Sequence, residues 1–272
     1  MAFEAAHARI PREPQMMSSP PPSASLSSVG ARLRLLGQFR LEYDAAPVEL
    51  CGNAQRLLAF VGLHGRVSRS ALAGALWPDV PEERARGSLR TALWKLPRGD
   101  RPLLCCTRET MDIADGVHVD AHVLADTALR VLHSRDPLPD PRGLLDLLVG
   151  ADLLPGWDDE WIVLEREWLR QMRLLALDVL SERLARQGRS ALALEAALAS
   201  VGMEPLRESA HRAVVSAHLA EGNLTEAVRR YDTFRGLLRR ELGVEPSLRF
   251  TRMIPLTVSS SASPRGRSRP GR

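Results

Sequence analysis

The side chains best suited to chemistry with an anion crowd between residues 84 and 108. Arg84, Arg86, Arg90, Lys95, Arg98 and Arg108 supply cations, with Ser88, Thr91 and Trp94 set among them. Guanidinium and ammonium groups donate to guanine acceptors or phosphate oxygens, and a good bidentate pair discriminates between bases by about 1–3 kcal/mol. Hydroxyls read bases ambiguously or hold phosphates. Over residues 80–101 the bases Arg84, Arg86, Arg90, Lys95, Arg98 and Arg101 outnumber the acids Glu82, Glu83 and Asp100. Contact of this kind weakens as salt rises. A basic helix face is most often a solvated surface, so the surrounding elements must decide.

Other chemistry finds no complete set of residues. His118 and His122 stand four apart, as zinc ligands on a helix would, but no third ligand is near and Val119-Asp120 reads as a strand passing into a helix. His211 and His218, seven apart, suit surface or core roles. Asp158-Asp159-Glu160 reads as a charged helix start favoured by the macrodipole rather than as a cation site. Trp157, Trp161 and Trp168 read as structural rather than as a ligand platform. There is no G-x-S-x-G, no phosphate-cradling glycine loop and no H-E-x-x-H. The expectation is a protein that is not an enzyme and needs no cofactor or metal. Cys51, Cys105 and Cys106 are too few for a disulfide framework, and no C-x-x-C occurs.

The elements that would carry the basic face follow from periodicity. Arg32–Gly37 and Gln38–Tyr43 alternate polar and apolar, predicting two short strands, with a third at Val48–Leu50. Asn53 is a candidate cap for a helix holding Leu57, Leu58, Phe60, Val61 and Leu63 and ending near Gly65. Ser68 caps a short helix stopped by Pro78, with Trp77 in the core. Pro81, Glu82 and Glu83 suit the first turn of a third helix running to about Leu96, where Pro97 and Gly99 end it. In that helix Ala85, Leu89, Leu93 and Leu96 form the expected inward stripe. Leu103–Cys106 and Thr110–Ile113 pair as a hairpin around Arg108-Glu109. Two short helices, a longer basic one and a hairpin describe a winged helix-turn-helix.

From Asp120 onward only helices are expected, over 120–133, 141–150, 158–187, 189–202, 205–221, 224–241 and 246–254. In the longest, Trp161, Leu164, Trp168, Met172, Leu175 and Val179 recur at three or four residues as one apolar stripe, capped by Asp158 and stopped by Gly188. Gly188 and Gly222 stand 34 residues apart, as do Ala193 and Ala227, a faint tetratricopeptide period. The fold class is mainly α: an N-terminal winged helix-turn-helix (α+β), then an all-α tetratricopeptide-like helical domain.

Composition agrees. The chain has 272 residues and a formal charge of +4; 44% are hydrophobic but only 4% aromatic, so the core is built from Leu, Ala and Val. Residues 1–29 are Pro/Ser-rich and residues 256–272 Arg/Ser-rich, and both read as disordered tails. Met16 and Met17 are alternative starts to Met1. Arg265, Arg267, Arg269 and Arg272 account for the net charge, so the charge balance by itself is weak support for a nucleic-acid partner. No run approaches a membrane span or a signal peptide, giving a cytoplasmic expectation. The proposed division is 30–116 for the winged domain and 117–255 for the helical one.

These motifs resemble a known family. Arg32–Leu41, Gln55-Arg56-Leu57-Leu58, Ser70–Pro78 with its Leu-Trp-Pro block, and Ala85–Leu93 are similar to the DNA-binding half of the Streptomyces antibiotic regulatory protein family. Leu153–Trp157, Glu165-Arg166-Glu167, Glu204–Glu208 and Leu242–Pro246 resemble its bacterial transcriptional activation domain. The resemblance implies a phosphorelay-type effector fold, that of the response-regulator winged helix, in a regulator that usually activates. It further implies binding to double-stranded DNA at promoter direct repeats, contact with RNA polymerase and a homodimer on DNA. Without a G-x-x-x-x-G-K-[ST] the chain resembles the small form, which lacks the ATPase domain. It departs from the family where Pro97 cuts the third helix short and where Glu109-Thr110-Met111 replaces a Gly-Tyr pair in the hairpin. These departures motivate the alternative of a tetratricopeptide-like scaffold that binds a protein partner and no DNA.

Overall fold

The computed structural model describes residues 30–97, 102–134 and 136–254. Both expected tails, together with Arg98 and Arg101, lie outside the described residues. The order is β1 (Ala31–Arg34), β2 (Arg40–Tyr43), β3 (Ala46–Val48), α1 (Gly52–His64), β4 (Val67–Ser68), α2 (Arg69–Leu76), α3 (Glu82–Trp94), β5 (Leu104–Cys106), β6 (Thr110–Ile113) and β7 (Val117–Val119). Then come α4 (Asp120–His133), α5 (Pro141–Val149), α6 (Glu160–Arg186), α7 (Ser190–Met203), α8 (Glu208–Ala220), α9 (Leu224–Leu242) and α10 (Leu248–Thr251). The fold is mainly helical, with a winged-helix sheet region at the N-terminal side.

Two small sheets frame the first three helices. One has the order β3-β2-β1-β7, the other β4-β6-β5. In the first, β1 pairs antiparallel with β2, Leu33 opposite Leu41, and parallel with β7, Leu33 opposite Val119. The parallel partner β7 follows the expected boundary at residue 116, yet it completes the N-terminal sheet. The third strand lies at Ala46–Val48, slightly ahead of its expected position. Gly62 lets α1 press on β1: a Cβ there would meet Leu33 Cδ2 at 2.7 Å.

Side-chain caps start α2, α5 and α10. The Ser68 hydroxyl accepts from Ala71 N at 3.2 Å, as expected, and Asp140 caps α5 through Gly143 N. Two expected caps are corrected. Cys51, not Asn53, is the cap residue of α1 and makes no side-chain cap bond. Asp159, not Asp158, occupies that position on α6, and its carboxylate is taken by Arg56. Trp77 is half-buried at the end of α2, packed against the core rather than inside it.

The helical half consists of stacked antiparallel hairpins. Gly188 and Gly222, with φ +74° and +76°, turn the chain between α6 and α7 and between α8 and α9. Ala193 and Ala227, one at each equivalent site, are fully buried where the helices close on one another. The motif residues act as clamps. Asp178 on α6 accepts from Ser200, Ser209 and both Nε and Nη2 of Arg207. Glu208 accepts from the Ser247 backbone and hydroxyl at the start of α10, and Glu245 pairs with Arg235 and Arg239.

The expected stripe on α6 requires correction. The fully buried residues include Ile162, Leu169, Leu174, Leu177, Leu180 and Leu184, whereas Leu164 and Leu175 are exposed. α4 and α5 pack on one side of this helix and α7 on another. Apolar positions therefore surround much of it: of the expected stripe Trp161 is buried and Trp168, Met172 and Val179 pack half-buried against the core, so spacing alone errs at Leu164 and Leu175. Among the described residues no helix is long and apolar enough to cross a membrane, and no group of three or more His, Cys, Asp or Glu gathers to hold a metal.

Candidate nucleic-acid interface

α2 and α3 pack together over α1, joined by residues 77–81. Pro81, with φ −55°, starts α3 without needing an N–H, and Glu82 and Glu83 meet the positive end of the helix dipole. Ala85, Leu89 and Ala92 are fully buried. Their spacing of four and three keeps one face inward. The expected stripe is thus corrected at its end: Leu93 and Leu96 are half-buried at the flank, and the small Ala92 takes the inner position.

The opposite face is open. Arg84, Arg86, Arg90, Thr91, Trp94 and Lys95 are exposed, and Ser88 is half-buried. Arg86 already pairs with Glu82 one turn back at 2.5 Å. The Thr91 hydroxyl donates to Gly87 O at 3.1 Å, leaving its lone pairs outward. Trp94 is 64% exposed, and the Lys95 ammonium lies 5.3 Å from the centre of its ring. The helix ends at Trp94 with Lys95 as its cap residue, two residues short of the expected end.

The hairpin packs against α1 and reaches the start of α2. β5 and β6 pair with Cys106 opposite Met111, and β4 joins the other edge of β6. Thr107 fastens the turn: its hydroxyl accepts from Glu109 N and Thr110 N at 3.2 and 2.9 Å. Arg108 is exposed at the tip. Arg69, which sequence reasoning passed over, ties the tip to α2. Its Nε donates to Thr107 O at 3.0 Å and its backbone N–H to Glu109 O at 2.8 Å. Burial pushes the Cys106 thiol above its ordinary pKa, so this cysteine is not an activated thiolate.

A second arrangement that the sequence did not disclose fixes α1–α3 against the helical half. Arg56 on α1 donates to Leu76 O at the end of α2, at 2.7 Å, and also to the Asp159 carboxylate at the start of α6. His64 meets Glu165 at 3.4 Å. Phe60 packs edge-on to Trp161 at 5.0 Å and Phe39 stacks on Trp157 at 6.1 Å, so these tryptophans join the two halves. Leu36 bridges Leu153, and Leu154 N donates to Leu35 O. Arg166 braces that loop through the carbonyls of Leu153, Leu154 and Trp157. Arg173, 3% exposed, braces it through Gly150 and Ala151.

Comparison with known proteins accords with this architecture. Residues 145–255 match the family described as bacterial transcriptional activator domain. The regulatory protein AfsR of Streptomyces coelicolor is 28% identical over 252 residues, covering 87% of this chain. The chain spans 25% of that curated relative's length. The solved structure of Mycobacterium tuberculosis EmbR in complex with a low affinity phosphopeptide superposes with a TM-score of 0.66 at 17% sequence identity. That match covers 82% of this chain and 63% of the other, and it speaks for the fold.

Proposed function

We propose that this chain is a transcriptional regulator of the Streptomyces antibiotic regulatory protein type, with a bacterial transcriptional activator domain and a non-enzymatic role, that binds promoter DNA through α3 and its wing and activates transcription. The observation that carries the reading is the two-sided character of α3. Ala85, Leu89 and Ala92 anchor it, while Arg84, Arg90, Thr91, Trp94 and Lys95 face solvent together. In the major groove Arg90 and Lys95 reach base edges, with Ser88 and Thr91 between them. Arg84, Arg86 and, from the wing, Arg108 meet phosphates; Arg98 extends the same basic run in sequence. Trp94 lays its ring on sugar or a thymine methyl. The helical half serves self-association and contact with RNA polymerase on double-stranded DNA carrying direct repeats.

A mobility-shift series with DNA upstream of the chain's own and neighbouring genes tests this reading. With about four phosphate contacts, affinity falls about a hundredfold between about 50 and 200 mM salt. Absence of binding at the lowest salt refutes the reading.

A further inference from the structure

Arg56, Phe60 and His64 stand four apart along α1 and meet the start of α6 rung by rung. The Arg56 guanidinium bonds the Asp159 carboxylate, Phe60 lies edge-on to Trp161, and His64 meets Glu165. Positions i, i+4 and i+8 share one helix face, so this face of α1 is the one that docks on the helical half. The Arg56 rung also reaches a third element. Its Nη2 donates to the carbonyl of Leu76, the last residue of α2, at 2.7 Å.

That arginine joins two events in one group. Nε and Nη2 face the two oxygens of Asp159, the fork-on-fork arrangement that fixes a guanidinium in direction as well as in place. Nη2 is shared with Leu76 O, so the carboxylate orients the nitrogen that holds the end of α2. The side chains of Arg56 and Asp159 are only 25% and 19% exposed, so water and salt compete weakly for either. Residues 77–81 follow Leu76 and lead into α3, and Pro78, Asp79 and Val80 are exposed. The outer side of this turn is open, so its direction is set at its ends. The Leu76 side chain is itself sealed in the core, so Arg56 governs the heading of the outgoing chain rather than its attachment. Arg166 and Arg173, by contrast, hold carbonyls of their own half.

We propose that Asp159, in the helical half, is a positioning residue for the DNA-reading helix α3, acting through Arg56 on the turn at residues 77–81. This rests on the function proposed above and adds a route by which the helical half regulates that surface. The coupling is reciprocal: DNA seated on α3 favours the arrangement in which Asp159 holds Arg56.

Two measurements on the full chain test it. Amide hydrogen exchange without DNA reads the turn itself. Trp77 N donates to Ala73 O, and Arg84 N and Ala85 N donate to Pro81 O, at its two ends. Asp159→Ala speeds exchange at these amides severalfold and leaves α7–α9 unchanged. Fluorescence anisotropy with promoter and unrelated duplexes reads the consequence. Base contacts need α3 at one angle, whereas phosphate contacts tolerate a range. Asp159→Ala therefore weakens promoter binding about tenfold and unrelated binding less than about twofold. Asp159→Glu, which keeps the carboxylate, restores most of the discrimination. Asp159→Asn, which keeps the size and an acceptor, melts near the parent and loses part of it. In an Arg56→Ala background Asp159→Ala changes discrimination no further. Slow exchange at both ends of the turn in Asp159→Ala overturns the inference, and so does an equal loss on both duplexes. A parent chain that binds no DNA sinks the reading above instead, and exchange then decides the link from Asp159 to the turn by itself.

Discussion

Replacing Arg90 and Lys95 by alanine together is expected to reduce affinity for specific promoter DNA by about a hundredfold, about 3 kcal/mol. Both side chains are exposed, and surface substitutions of this kind change stability by about 0.5 kcal/mol or less. The melting temperature should therefore stay in place while binding falls. Lys95→Ala also removes the ammonium from above the Trp94 ring, a contact worth about 0.5–1 kcal/mol at an exposed site. A control comes from the neighbouring arginines. Arg86 is shared with Glu82, so Arg86→Ala should cost less binding than Arg84→Ala and should do so alike for specific and unrelated DNA. Fluorescence anisotropy with both kinds of duplex reads the two effects apart. Unchanged affinity in the double variant means that the exposed face of α3 is not the reading surface.

Arg173→Ala is expected to cost about 3 kcal/mol of stability, because it opens a cavity where the sealed side chain packs and removes its charge-assisted hydrogen bonds to Gly150 O and Ala151 O. The guanidinium is nearly sealed from solvent and burial lowers its pKa, although Asp152 opposes that shift. Its Nη1 donates to Gly150 O at 3.1 Å, and its Nη2 donates to Ala151 O. Asp152, the charged partner at 3.3 Å, is 66% exposed at its side chain and regains water when the arginine goes. The loss therefore falls mainly on the cavity and the lost hydrogen bonds. For a chain of this size the melting temperature should drop by about 6–12 °C. Limited proteolysis should find a new cleavage site between residues 150 and 157, because the loop loses a brace. Arg173→Lys, which keeps the charge but not the fork, should fall between the two. A melting temperature unchanged in Arg173→Ala would mean that Arg166 alone secures the loop.

The helices were readable because their ends carry local chemistry. Ser68 and Pro81 mark the starts of α2 and α3, and Gly65, Gly188 and Gly222 lie at turns that the structure places at φ near +70°. Strand β4 left no such mark, and of β7 only its passage into α4 at Val119-Asp120 was legible. At two and three residues they are too short for a period, and only pairing with β6 and β1 makes them strands. On α3 the inward face was legible except at Ala92, where an alanine rather than a leucine fills the tight position. Arg56, Arg69, Arg166 and Arg173 were not legible as braces. Their acceptors are mostly carbonyls of irregular segments far along the chain, and no spacing rule links a side chain to those.

The braced loop at 150–157 has a consequence for promoter architecture. With Leu36 paired to Leu153 and Arg56 spanning α1, α2 and α6, no slack separates α1–α3 from the helical half; under the function proposed above, α3 is the part that grips the duplex. The orientation of the operator around the duplex axis then dictates where the activator domain points. Inserting about 5 base pairs, half a helical repeat, between operator and promoter would swing that domain to the far side of the DNA, and inserting about 10 would bring it back.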